Sequence, residues 1–239
     1  MNEGSFETTT SVSIHPGCQF TTYLPRPEFS EDCHSLKWKG TVERNKSSSE
    51  EASALIKVNG RHHGYLFWEF GNAVEASKVQ ENFVSSVVGY QSIVDHKTDA
   101  FVLEGIEEYD DWCHTMLTTL GLGVREQDDF VAFWARSIFE NGPFVIARVV
   151  PESDLRKCTS LSVTANCGDK SVHVDIHRIY VTMIVCKTIP CELCCGLHIW
   201  KTESHSPIRM PEELAVSFPI KHVPEALKVV EWGGVVLTM

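Results

Sequence analysis

The chain reads as an α+β protein, a largely antiparallel twisted sheet or sandwich with a helical hairpin packed on one side. Three observations predict this class. Short runs rich in Val, Ile and aromatic residues, bounded by turn residues, recur before residue 70 and again after residue 144. Between them, residues 106–139 switch to an apolar spacing of three and four, the period of amphipathic helices. No internal repeat or low-complexity tract interrupts the 239 residues, a length that suits one large domain or two small ones. By texture, residues 1–60 are variable strands and loops, and residues 61–239 form an α+β core continuous with them.

In chain order, Leu24-Pro25-Arg26-Pro27 is a turn-rich stretch, Leu36 to Val42 is a strand, and Glu43 to Glu51 is a charged loop. Ala54 to Val58 is a second strand, closed by Asn59-Gly60, the dipeptide that tolerates two successive positive φ angles in a tight hairpin. Gly64 to Phe70 is expected as the returning strand, which sets Trp68 and Glu69 on opposite faces. The first helix, Ile106 to Leu120, collects Ile106, Tyr109, Trp112 or Cys113, Met116, Leu117 and Leu120 on one side. Its carboxylates Glu107, Glu108, Asp110 and Asp111 fall where the helix dipole favours negative charge, and Gly121 and Gly123 stop it. The second helix, Arg125 to Phe139, turns Phe130, Val131, Trp134 and Ile138 inward. Strands follow at Phe144 to Val150 and Thr159 to Thr164. A turn at Asn166 to Asp169 leads into Ser171 to Cys186, a long Val- and Ile-rich run that reads as a central strand with a bulge. Leu193 to Trp200 is one more strand, and Pro207 to Met239 is a mostly extended tail.

Charge and composition exclude whole classes. The net charge is −11, and Lys and Arg occur singly or in pairs rather than as a stripe, so no nucleic-acid partner is expected. No apolar run approaches the ~20 residues of a membrane span, and no membrane partner is expected. The polar opening MNEGSFETTT lacks the pattern of a secretory leader, so the expected location is cytoplasmic. Nine cysteines, an odd number, argue against a disulfide framework.

The order Tyr65-Leu66-Phe67-Trp68-Glu69, then Phe101 to Gly105, then Leu120-Gly121-Leu122 with Glu126, Asp128, Asp129, Phe130, Phe133 and Trp134, resembles a family of hypothetical proteins of bacteria and fungi. That family combines a YLYWE-type strand, a two-helix segment, a strand bearing Arg-Val or Arg-Ile, and a closing VVEWGG. Here Arg178-Ile179 and Val229 to Gly234 stand at the matching places. The resemblance covers residues 60–234. It marks Glu69 and Glu231 and implies no activity.

Three constellations can carry chemistry. Glu69 and Glu231 each sit beside a tryptophan in an apolar stretch, where an ionised carboxylate is costly unless paired. If they share a site, one protonated and one ionised carboxyl make an acid/base pair for isomerisation, cyclisation or hydrolysis without a cofactor. Tyr65, Phe67, Trp68, Trp232 and Arg178 would line the site for a small, partly apolar molecule. The alternative is that each glutamate ties down an arginine, Arg148 or Arg178, and the chain is a non-catalytic small-molecule-binding or protein-interaction module. The second constellation, His173-x-Asp175-x-His177, places three metal-ligating side chains on one strand face, which would suit a metal-dependent enzyme. The cluster Cys186, Cys191, Cys194, Cys195 and His198 supplies soft ligands in zinc-like number. Neither set is complete by spacing, so no bound metal is expected. The third, Cys113-His114 or Cys33-His34, fails as a nucleophilic dyad because sequence neighbours diverge. With no P-loop and no dinucleotide fingerprint, no nucleotide cofactor is expected either.

Overall fold

The computed structural model describes residues 5–44, 54–73, 78–191, 193, 195–200 and 227–239. Its elements begin with β1 (Ser5–Ile14), β2 (Cys18–Leu24), β3 (Glu28–Phe29), β4 (Ser35–Arg44), β5 (Ala54–Val58), β6 (Arg61–His63) and β7 (Phe67–Asn72). The helices α1 (Lys78–Val88) and α2 (Tyr90–Asp95) lead to β8 (Phe101–Glu104), α3 (Gly105–Thr119), α4 (Val124–Phe139), β9 (Phe144–Val150) and α5 (Glu152–Cys158). The remainder is β10 (Thr159–Cys167), β11 (Lys170–Val172), β12 (Val174–Cys186), β13 (His198–Ile199) and β14 (Leu227–Thr238). The α+β class is as the sequence predicts. Two compact units result, one of Met1–Glu81, Arg156–Ile176 and Val223–Val229, the other of Asn82–Leu155, His177–His222 and Val230–Met239.

The first unit is built on the sheet β11-β10-β1-β4-β5-β6, with β3 also on β4. β1 is its axis, antiparallel to β10 from Glu7↔Asn166 to Ile14↔Thr159 and to β4 from Ser5↔Glu43 to Ser13↔Ser35. Its side chains alternate, with Thr8, Thr10, Val12 and Ile14 buried, the period-two signature of a strand with one covered face. Val12, Leu36, Trp38 and Val58 form a small core, with Phe20, Leu66, Trp68 and Leu161 packed against it. The Asn59-Gly60 turn forms as expected, with φ of 52° and 78°. The returning strand is not the expected one. β6 closes the hairpin and ends at Ile56↔His63, whereas Phe67–Asn72 becomes β7 and pairs antiparallel with β2. The hairpin ladder is too short to use the second strand, so β7 takes the neighbour that lies far back in sequence.

The second unit is the sheet β13-β8-β9-β12-β14. Register lines up Leu103, Val145 and Val185 in one row and Val102, Ile146 and Ile184 in the next, so successive rows face opposite sides. The first face packs on α3 and α4 through Tyr109, Trp112, Met116, Leu117, Phe130 and Ile138, the predicted hairpin. The second face meets Ile93 of α2, with Leu193 beside it. That second helical cover is unexpected from sequence. On the same face Arg148 and Thr182 are cross-strand partners. Arg148 Nη1 donates to Ser92 Oγ at 2.6 Å, and Thr182 Oγ1 donates to the Val88 carbonyl at 2.9 Å. β14 runs parallel to β12, because the backbone bonds Leu227 to His173 and Met239 to Val185 keep one offset along both strands.

Several element readings change. Ile106, in the first turn of α3, is 54% exposed rather than inward, and the buried stripe begins at Tyr109. Val131 and Trp134 are half-buried at the edge of the core. The acidic first turns of α3 are partly structural: Glu108 Oε2 accepts the Glu104 backbone N–H at 2.7 Å and Asp111 Oδ2 accepts the Trp200 indole N–H at 3.0 Å. Of the expected strand at 193–200, only His198–Ile199 pairs, parallel to β8. The expected loop beyond Arg44 and the tail through Pro207, Pro211, Pro219 and Pro224 lie outside the described residues. Among the described residues no helix is long and apolar enough to cross a membrane.

Candidate functional site

Glu231 lies on β14 and Arg178 on β12, in the second unit. Arg178 Nε donates to Glu231 Oε2 and Nη2 donates to Oε1 at 3.1 Å, a bidentate fork. The arginine side chain is 2% exposed and the glutamate 13%. Burial makes this geometry necessary, because neither charge is tolerable away from water without its partner. Trp232, next along the strand, sets its ring 5.7 Å from Phe130 and 6.4 Å from Phe133. The second of the two glycines that follow has a steric reason. A Cβ on Gly234 would stand 2.6 Å from the Val181 carbonyl and 3.0 Å from Met183 Cε, so only glycine lets β14 lie so close to β12.

Glu69 belongs to the first unit, on β7 opposite Thr22, with its side chain exposed. Trp68 turns to the other face and packs on Trp38 at 5.9 Å, as the predicted alternation requires. Phe67 is half-buried and Tyr65 is 67% exposed. The candidates thus fall as two sets, Tyr65 to Glu69 in one unit and Arg178, Glu231 and Trp232 in the other.

The remaining constellations take their places elsewhere. His173 is exposed in the break between β11 and β12, Asp175 is half-buried and His177 is buried. The expectation of three ligands on one strand face is therefore corrected: His173 lies outside β12, and the strand passes from half-buried to buried between Asp175 and His177. Cys191 and Cys195 are exposed, and Cys194 lies outside the described residues. His198 donates Nε2–H to the Thr98 carbonyl at 2.7 Å and stacks on Phe101 at 5.5 Å. Among the described residues no three His, Cys, Asp or Glu side chains are grouped to hold a metal ion. Burial pushes the Cys113 thiol up to about 12, the opposite of nucleophile activation. Its neighbour His114 turns to Gln127, Nδ1 to Oε1 at 2.9 Å, while Gln127 Nε2 donates to the Leu122 carbonyl.

A cleft of about 170 Å³ opens in the first unit, lined by Arg26, Pro27, Glu28, Lys37, Trp38, Lys39, Val58 and Asn59. It contains neither glutamate. Sequence reasoning passed over these residues; the available signals were Arg26 between two prolines and the alternating Lys37 and Lys39. No protein-family model, curated protein or solved structure matches the chain.

Proposed function

We propose that the chain is a non-catalytic binding module for a small molecule, with Glu231 and its neighbour Trp232 serving the fold. The observation that carries this reading is the Arg178–Glu231 fork. Both carboxylate oxygens of Glu231 accept from one buried guanidinium, which holds the carboxylate in a fixed ion pair. An acid/base mechanism needs a carboxyl that can exchange its proton with a bound molecule. Glu69 is exposed and retains that freedom, but its apolar neighbour Trp68 faces away from it into the small core.

Glu231→Ala tests the reading. Removing the bidentate carboxylate from a guanidinium that is 2% exposed is expected to cost roughly 3–5 kcal/mol by chemical denaturation. Arg178→Met on top of it should restore a large part, because the double variant buries no charge. A Glu231→Ala protein as stable as the parent would return Glu231 to the acid/base reading.

A further inference from the structure

The edge of β4 that faces β3 and β5 is not covered along its whole length. β3 pairs only with Leu36 and Lys37, and β5 begins at Gly40. Trp38 and Lys39 therefore border a gap one dipeptide wide, and the 170 Å³ cleft is this gap. The direction of the backbone follows from the ladder. Ser35 receives the Ser30 N–H on its carbonyl and gives its own N–H to Ser30 Oγ, so its peptide groups face the β3 edge. The β1–β4 register runs without a bulge from Ser35 to Glu43, and alternate residues of a strand face the same neighbour. Lys39 thus turns its N–H to the gap, while its carbonyl lies at the end of the β4–β5 ladder.

The walls of the gap are fixed by side chains. Trp38 Nε1 donates to the Pro25 carbonyl at 2.7 Å, and Asn59 Nδ2 donates to the Arg26 carbonyl at 3.4 Å. Pro25 and Pro27 are buried on either side of Arg26, which is exposed. Of the charged groups at the rim, Lys39 is held by Glu28 at 3.2 Å. That leaves Arg26 and Lys37 as excess positive charge, on a chain whose net charge is −11. A local cationic cleft on an acidic protein raises the local concentration of anions there.

We propose that this gap binds a small oxyanion, a carboxylate or phosphate group, through Arg26, Lys37 and the Lys39 peptide N–H. The proposal rests on the binding-module reading and gives it a site and a ligand class. Amide NMR titration of the full chain at low ionic strength tests it, with inorganic phosphate in one arm and malonate in the other. Saturable shifts confined to residues 26–28, 37–39 and 58–59 are expected, and whichever anion saturates first identifies the source. Arg26→Gln and Lys37→Gln should each weaken binding at least tenfold, whereas Lys57→Gln, exposed on β5 and outside the cleft, should leave it unchanged. Shifts that rise linearly, spread over all surface lysines, or persist in Arg26→Gln at parental affinity would overturn the proposal. The Glu231→Ala stability measurement is independent of that outcome, so failure here and failure of the module reading remain distinguishable.

Discussion

Trp38 in the first unit and Trp112 in the second are both sealed from solvent, at 2% and 0% exposure, but they are accommodated in opposite ways. Trp38 sits in a core of four buried residues and gives its indole N–H to the Pro25 carbonyl at 2.7 Å. Trp112 lies in the large cluster between α3, α4 and the five-stranded sheet, and its indole nitrogen has no acceptor among the described residues. Trp134, at the edge of that cluster, also has a buried indole nitrogen without one among them. An unsatisfied buried donor costs about 1–3 kcal/mol. A core rich in aromatic contact offsets such a cost, and a core of four residues does not. The comparison teaches that a tryptophan in a small core depends on the polar tie at its margin, whereas one in a large apolar cluster tolerates a donor without such a tie.

The largest test is truncation inside that mass. Trp112→Ala should cost roughly 3–5 kcal/mol in chemical denaturation, the range for a buried tryptophan. Trp134→Ala, half-buried, should cost clearly less, in the range of about 1–2 kcal/mol. Equal costs would mean that the two helices bury their aromatics alike and that the edge position of Trp134 is wrong.

A pair of milder changes separates packing from polarity. Trp112→Phe removes volume and an orphaned donor together, so the two effects oppose. Trp38→Phe removes volume and leaves the Pro25 carbonyl without its donor, so the effects add. Trp38→Phe should therefore be the more damaging by about 1–2 kcal/mol, although it sits in the smaller core. The reverse order, measured by the same denaturation, would break the comparison outright.

The parts of this architecture that sequence predicts are those decided locally. Asn59-Gly60 forms its turn because positive φ at two successive residues is a property of the dipeptide. The α3–α4 hairpin is legible because its apolar spacing and the short connection after Gly121 act within thirty-five residues. The α1–α2 cover escapes because Val84, Val87, Val88 and Ile93 are divided by Gly89 and make no continuous stripe. Pairing of β7 with β2 escapes because nothing within Phe67–Asn72 names a partner so far upstream. The candidate sites follow the same rule. Arg178 as the tie for Glu231 was open to charge matching alone, one of two arginines in apolar strands. The cleft was not, because it is made of a missing stretch of ladder between two strands that meet β4 from different parts of the chain.

Alkaline pH probes the dry core more gently. Burial raises the Cys113 thiol from an ordinary 9.0 to about 12, and it also raises Cys18 and Cys186. Between those values the unfolded chain has lost protons that the folded chain still holds, so stability falls as pH climbs from about 9 towards 12. Each such thiol contributes a slope of up to about 1.4 kcal/mol per pH unit. Cys113→Ala should flatten the alkaline limb of a stability profile, while the exposed Cys167→Ala should not. An unchanged limb in Cys113→Ala would mean that water reaches this thiol.

The smallest effect compares an ion pair in each unit. His62 of β6 and Glu43 of β4 meet at 3.2 Å across the intervening β5 in the first unit, whereas Arg178 and Glu231 meet on adjacent strands in the second. The first is a single imidazole contact with 47% and 45% exposure, the second a guanidinium fork with 2% and 13%. Water at the exposed pair already satisfies both groups, and holding two side chains together forfeits rotamer freedom. His62→Ala is therefore expected to change stability by less than about 0.5 kcal/mol. Denaturation of His62→Ala beside Glu231→Ala sets an exposed single contact against a buried fork. A cost at His62 comparable to that at Glu231 would show that the margins of the first unit, and not only its tryptophan tie, carry its stability.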